Sequence, residues 1–264
     1  MMKTGCSIYM EDISLSYSTT SGFLHVIDRV DLSIQNKELV CLVGRSGCGK
    51  TSLLTMLSGL LEPTRGIVKI MGNHPSCARN EMKIGYVTQE DSLLPWRTVR
   101  QNVELPLTVG MSKRVYAGNI SLKDCLVEEM ISSVRLEGFE EYYPYQLSGG
   151  MKQRLALARS LVYKPEILFL DESFANLDEV SRRTMQSLIL DLRDRLGITI
   201  LMVTHDISEA MTLADRVVIF SGMPSSVVGE LDLTKVDMDS RKIRNLQEED
   251  EIFDQILSLM ESRS

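Results

Sequence analysis

The spacing of apolar and polar residues changes period several times along this chain, and each change marks an element. Ile8, Met10, Ile13, Leu15 and Tyr17 recur roughly every second residue, as in a strand with one covered face. Glu38-Leu39-Val40-Cys41-Leu42-Val43 is almost wholly apolar and predicts a buried strand. Leu53, Leu54, Leu57, Leu60 and Leu61 then recur at helical spacing until Pro63 stops them. Ile67-Val68-Lys69-Ile70 returns to strand character and is closed by Gly72-Asn73.

After the apolar stretch Ile84-Gly85-Tyr86-Val87-Thr88, strand signals disappear between about Ser92 and Leu147, where Val99 to Leu107 and Leu122 to Val134 read as helices. Leu155, Ala158, Leu161 and Val162 give one more helix its apolar face up to Pro165. Two further buried strands follow, Ile167-Leu168-Phe169-Leu170 and Thr199-Ile200-Leu201-Met202-Val203-Thr204, and the α/β pattern continues through Phe220. Beyond it come a turn at Met223-Pro224-Ser225-Ser226, a short strand at Val227-Val228 and a charged run around Glu248 to Glu251. Ile252, Phe253, Ile256, Leu257 and Met260 mark a final amphipathic helix with a core-docking face. No internal repeat is present.

Composition narrows the class without naming a reaction. At 264 residues with 25% charged residues the chain can bury a large core, and its 29 basic against 36 acidic residues give a formal net charge of −7. That balance argues against a nucleic-acid partner held by protein-wide attraction. The N-terminus Met1-Met2-Lys3-Thr4-Gly5-Cys6 lacks the apolar core of a signal peptide. No run approaches the ~18 apolar residues of a membrane helix, so a membrane pathway would have to come from other subunits. Cys6, Cys41, Cys48, Cys77 and Cys125 are odd in number and show no paired metal-ligand spacing, which suits a reducing cytosol.

Chemistry is concentrated in a few short segments. Gly44-Arg45-Ser46-Gly47-Cys48-Gly49-Lys50-Thr51 fits the pattern in which glycines let backbone N–H groups close around phosphates, lysine reaches the outer ones, and a hydroxyl meets magnesium. It lies between a strand and a helix, so the helix N-terminus directs its dipole and N–H groups at the anion, with Ser52 following in the first turn. Cys48 sits near that helix N-terminus, a setting that favours thiolate, or it is simply a small residue that fits. Asp171 and Glu172 stand at the carboxyl end of the Ile167–Leu170 strand, where open α/β sheets bind ligands. Asp171 suits a magnesium shell and Glu172 suits activation of water. In Leu147-Ser148-Gly149-Gly150-Met151-Lys152-Gln153-Arg154, Ser148 is a good helix N-cap and the glycines remove bulk, which makes a second anion-facing helix end.

Together these segments resemble an ATP-binding cassette (ABC) ATPase, because Leu147-Ser148-Gly149-Gly150-Met151-Lys152-Gln153-Arg154 resembles that family's signature motif. The resemblance implies an α/β P-loop core with a mainly parallel sheet, an N-terminal antiparallel β-subdomain and an inserted α-helical subdomain. Its expected boundaries are 1–91 and 148–222 for the ATP-binding core, 92–147 for the helical subdomain with the signature at its end, and 223–264 for a tail. It also implies roles. Tyr17 would stack on adenine; Gly44, Arg45, Ser46, Gly47, Cys48, Gly49, Lys50, Thr51 and Ser52 would hold the phosphates. Ser148, Gly149 and Gly150 would close on the nucleotide of a second copy, with Asp178 of the Asn176-Leu177-Asp178 loop at the interface. Gln89 would sense magnesium and the attacking water, His205 would contact the terminal phosphate, and Thr51, Gln89 and Asp171 would surround Mg²⁺. His25 and His74 fall outside these motifs and read as loop residues.

The resemblance further implies a second ATPase subunit in a homodimer, integral membrane permease subunits, an indirect substrate-binding protein, and a place on the cytoplasmic face of the membrane. Gln89-Glu90-Asp91-Ser92-Leu93-Leu94-Pro95-Trp96 resembles the glutamine loop of importer ATPases for nitrate, sulfonate, taurine and similar nutrients, with Trp96 beside the docking place of a membrane subunit. Exporter or lipid-extracting complexes, a cytosolic switch ATPase and a non-hydrolysing ATP-binding module are the alternatives. Three positions depart from the family pattern: Ser173 and Arg45 stand where proline is frequent, and Asn176 where a small residue precedes Leu177.

Overall fold

The computed structural model describes residues 5–20, 22–90, 92–109, 119–175, 177–234 and 246–261. Residues 1–4, Asp91 and Asn176, all included in the expectations above, lie outside them. The chain divides into two compact units, one of Met1–Ser76 with Ile200–Ser264, the other of Cys77–Thr199.

The first unit opens with β1 (Cys6–Thr19), paired antiparallel on one edge with β2 (Gly22–Gln35) and on the other with β4 (Arg65–Ile70). Ile8, Met10, Ile13 and Leu15 of β1 are buried, as the period-two pattern requires. β2 carries no clear alternation in its first half because Phe23, Leu24 and His25 are all exposed. His25 is therefore a strand residue rather than a loop residue, opposite Ser16, whose hydroxyl lies 2.8 Å from its Nδ1.

The second sheet segment of this unit is built on β3 (Leu39–Gly44), buried at every position. It runs parallel to β7 (Thr199–Thr204) on one side and β8 (Arg216–Ser221) on the other, and β9 (Ser226–Asp232) adds antiparallel to β8. A strand flanked by two parallel neighbours and covered on both faces has to be apolar throughout, which is the observed composition. Arg216 pins the polar end of this arrangement, donating to Glu38 Oε1 at 2.7 Å, Glu230 Oε2 at 2.7 Å and the Ser33 carbonyl at 2.6 Å.

Helix α1 (Lys50–Leu57) follows β3 and is shorter than its apolar spacing predicts. It ends because Gly59 turns left-handed at φ 69°, and a Cβ there would stand 2.5 Å from the Ser76 backbone nitrogen. Leu60 is consequently exposed. The C-terminal helix, Leu246–Glu261, buries Ile256 and Met260 but leaves Phe253 and Leu257 partly exposed.

In the second unit β5 (Ile84–Val87) pairs parallel with β6 (Ile167–Asp171), which is also buried throughout. Helices α3 (Val99–Thr108), α4 (Ile120–Ser133), α5 (Gly149–Leu161) and α6 (Glu179–Leu196) accompany them, and a short α2 (Pro75–Asn80) leads in from the first unit. Thr98 starts α3 with a capping box, its hydroxyl accepting from the Gln101 N–H at 3.3 Å while Gln101 Oε1 accepts the Thr98 N–H at 3.2 Å. Arg154 of α5 reaches the carbonyls that end α4, Val134 at 3.2 Å and Arg135 at 2.7 Å. Burial draws its pKa downward.

Candidate functional site

The first unit contributes the loop between β3 and α1. Gly47 and Gly49 have φ of 81° and 93°, and a Cβ on Gly49 would lie 2.6 Å from Val26 Cγ1. Both conformation and space exclude a larger residue there. Gly49 is the N-cap of α1 and supplies no side-chain hydrogen bond, so the helix start is served by the loop backbone. Lys50 is only 4% exposed, and its ammonium donates to the carbonyls of Gly44 at 2.8 Å and Arg45 at 3.0 Å. Arg45 and Ser46 are exposed, whereas Cys48 is buried with its sulfur 3.9 Å from Lys50 Nζ. Thr51 and Ser52 occupy the first turn of α1.

Tyr17 is brought to the same place from β1. It is 37% exposed and its hydroxyl donates to Ser52 Oγ at 3.1 Å, which leaves a ring beside the phosphate loop. His205 is exposed just after β7. The turn that carries it is fixed by Thr204 Oγ1, which donates to Glu209 at 2.7 Å and accepts the Asp206 N–H at 3.0 Å. Asp206 then caps α7 (Ile207–Leu213) through the N–H groups of Ser208 and Glu209.

The second unit carries the acidic pair. Asp171 ends β6 at 4% exposure and accepts the Tyr86 hydroxyl at 3.1 Å. Burial first, and the Asp171 charge second, push the Tyr86 hydroxyl far up, so it remains a donor to that carboxylate. Glu172 has φ 44°, a left-handed backbone that costs a non-glycine residue ~1–2 kcal/mol. Asp12, Lys37 and Lys164 are among the other described non-glycine residues with positive φ, so at Glu172 this backbone fixes where the side chain leaves the end of β6 without by itself marking a function. Ser173 is buried behind it, and Gln89 is exposed after β5, next to a turn in which Thr88 Oγ1 and Ser92 Oγ lie 3.0 Å apart.

Ser148 caps α5 by accepting the Met151 N–H at 3.3 Å. A Cβ on Gly149 would meet nothing within 4 Å, so that face is open, whereas one on Gly150 would stand 2.9 Å from Ser181 Oγ. Ser181 is in turn held by Asp178, which accepts its N–H at 2.9 Å and its hydroxyl at 2.8 Å. These bonds hold the Asp178 carboxyl below its ordinary range, the Ser181 backbone N–H contributing most. Asp178 and Gly150 thus meet through one serine that sequence spacing did not single out.

Two more supporting residues escape sequence reading. Asn102 is fully buried; it accepts the Leu94 N–H at 2.9 Å and donates to the carbonyls of Leu94, Arg97 and Thr98 at 3.0–3.2 Å. That clamp holds Trp96, 70% exposed, on a rigid loop. In the same unit, Met82, Ile84, Leu105, Pro106, Arg159 and Tyr163 line part of an apolar groove of about 720 Å³. Burial pushes the Tyr163 hydroxyl up to about 12, and it donates to the Ile84 carbonyl at 2.9 Å.

A buried parallel strand feeding a left-handed glycine loop, with a lysine turned into that loop at the start of a helix, defines the class as a P-loop nucleotide-binding α/β protein. Residues 27–175 match the family model described as ABC transporter. The bicarbonate transport ATP-binding protein CmpD of Synechocystis sp. is 36% identical over 87% of this chain and 79% of its own length. The aliphatic sulfonates import ATP-binding protein SsuB of Bacillus cereus is 35% identical over 84% of each chain. The nitrate import ATP-binding protein NrtD of Synechococcus elongatus is 36% identical over 85% and 80%. A solved dimeric ATP-binding cassette in a post-hydrolysis state, bound to ADP and Pi, matches with a TM-score of 0.75 at 30% identity, covering 86% of this chain and 98% of that one. The chain belongs to the ABC transporter ATP-binding family and is an ATP hydrolase of that family. Among the described residues no helix is long and apolar enough to cross a membrane.

Proposed function

We propose that the chain is the ATPase subunit of an importer for a small nutrient of the nitrate, sulfonate or bicarbonate kind, working as a head-to-tail homodimer beneath separate membrane permeases. The observation that carries this reading is the pairing of a lysine-filled glycine loop, Gly44–Thr51, with an open capped glycine turn at Ser148–Gly150. Each is half of an anion site, and the similar cassette solved with ADP and Pi is dimeric. The names of the relatives supply the import direction and the nutrient class. Trp96 and the apolar groove of the same unit offer the rigid aromatic and aliphatic surface that a permease helix needs.

On this reading Tyr17 stacks on the base and residues 44–52 hold the phosphates. Lys50 exchanges its loop carbonyls for phosphate oxygens, which reward the same ammonium with charge-assisted bonds. Thr51, Asp171 and Gln89 offer hard oxygen donors, the chemistry that fits Mg²⁺. When bound, Mg²⁺ neutralises phosphate charge. Glu172 accepts a proton from the attacking water, while His205 and Gln89 hold the terminal phosphate and that water in line. Asp178 and the signature turn of the second copy complete the site.

Phosphate release from ATP by the purified chain tests the chemistry. Hydrolysis that stops on chelation of divalent ions and falls about 1,000-fold in Glu172→Gln is the expected outcome. Parental turnover in that variant would remove Glu172 from the reaction. Co-purification with an integral membrane protein encoded beside this chain tests the transporter role, and recovery with ribosomes or DNA instead would favour a cytosolic switch.

A further inference from the structure

The connection from β8 to β9 reaches back to the glycine loop, and we propose that Ser225 in it is a positioning residue for nucleotide phosphates. The inference rests on reading Gly44–Thr51 as the phosphate loop. Ser225 is completely buried. Its N–H donates to the Val26 carbonyl at 2.9 Å, its carbonyl accepts the Asp28 N–H at 2.9 Å, and it forms an isolated parallel bridge with Ile27 of β2. Its hydroxyl stands 2.5 Å from the Cys48 carbonyl and 3.1 Å from the Val26 carbonyl.

A serine hydroxyl has one proton to give. The Val26 carbonyl already receives the Ser225 N–H, and the Cys48 carbonyl is nearer, so the hydroxyl serves Cys48. In a planar trans peptide the C=O and the following N–H point in opposite directions. Drawing the Cys48 carbonyl toward Ser225 therefore turns the Gly49 N–H away from Ser225, and on the phosphate-loop reading that is the side that meets the anion. The same peptide is gripped from its glycine end, where the Val26 side chain fills the space a Cβ would need. Gly49 is also the left-handed N-cap of α1, so its peptide plane sets how the helix start meets an anion. Without the Ser225 hydroxyl the Cys48 carbonyl loses this donor, and the peptide is held less firmly in the plane that sets its N–H.

Ser221 provides an internal control. It lies in the same part of the chain and is buried, but its hydroxyl donates to the Met260 carbonyl of the C-terminal helix at 2.9 Å. Calorimetric titration of the full chain with ADP, alongside thermal unfolding without nucleotide, compares the two. Ser225→Ala is expected to weaken ADP binding about 10-fold, the effect of losing one buried hydrogen bond. Ser221→Ala is expected to lower thermal stability with parental ADP affinity. Ser225→Cys, which keeps the volume and weakens the donor, should fall between Ser225→Ala and the parental chain. It carries the test if the alanine variant does not fold.

Parental ADP affinity in folded Ser225→Ala overturns the inference, as does an equal loss in Ser221→Ala, which would indicate general loosening. Failure of both Ser225 variants to fold also overturns it, since the hydroxyl would then serve the fold alone. If the parental chain itself binds no ADP, the phosphate-loop reading fails and takes this inference with it. Parental binding with an unaffected Ser225→Ala fails Ser225 only.

Discussion

Two helix starts in this chain are rich in glycine and face phosphates in the proposed cycle, yet they are built in opposite ways. At the head of α1, Gly49 gives no side-chain cap, the loop wraps inward with two left-handed glycines, and a buried lysine folds onto the loop carbonyls. At the head of α5, Ser148 caps the helix itself and Gly149 presents an unobstructed backbone face. An uncapped start surrounded by its own loop gains most when an anion arrives. A start that already has its cap is stable while exposed and can wait for a nucleotide carried by another molecule. On the proposed reading, the contrast separates a half that holds nucleotide from a half that closes over it.

The difference can be broken at its strongest point first. Lys50→Ala should lower nucleotide affinity by about 100-fold, the weight of a lost charge-assisted contact, as read by calorimetry with ADP. Unchanged affinity would mean that the α1 start is not the half that holds nucleotide. Gly150→Val should act on the other half. Its side chain would collide with Ser181, costing about 1–3 kcal/mol of stability by overpacking, and ATP turnover should drop at least about 10-fold while the folded monomer still binds ADP. Loss of monomer binding in that variant would erase the division of labour.

The smallest expected effect concerns Asp178, which braces the Ser181 support beneath Gly150. A carboxyl held below its ordinary pKa in the folded state contributes stability above the unfolded value and loses it as pH falls through the folded value. Asp178→Ala and the parental chain should therefore differ in unfolding at neutral pH and converge below the ordinary carboxylate range. A gap that persists at low pH would contradict the cap.

Legibility followed the distance over which a residue acts. The glycine loop, the capped turn and the Asp171-Glu172 pair declare themselves because strand, turn and helix signals lie within a few neighbouring residues. The apolar runs inside β3, β6 and β7 follow from burial on both faces. By contrast, Phe23, Leu24 and His25 hide the start of β2, because an exposed antiparallel edge imposes no alternation. The early end of α1 depends on Ser76 approaching Gly59, which helical periodicity through Leu60 and Leu61 does not register. Tyr86 and Ser225 work through partners brought near only by folding, up to 177 residues away for Ser225 and Cys48; Ser181 reaches Gly150 the same way, while the bonds of Asn102 stay within its own loop and helix start. Their residue types are ordinary, so nothing local distinguishes them.

The central claim, that nucleotide held by one copy is closed over by the capped glycine turn of another, has a direct measurement. Light scattering of Glu172→Gln with saturating ATP should give a dimer of the 29.7 kDa chain. Adding Gly149→Arg, which fills the open face, should return a monomer that still carries ATP. A monomer in the single variant with ATP bound, or a dimer that survives the second change, would contradict the account.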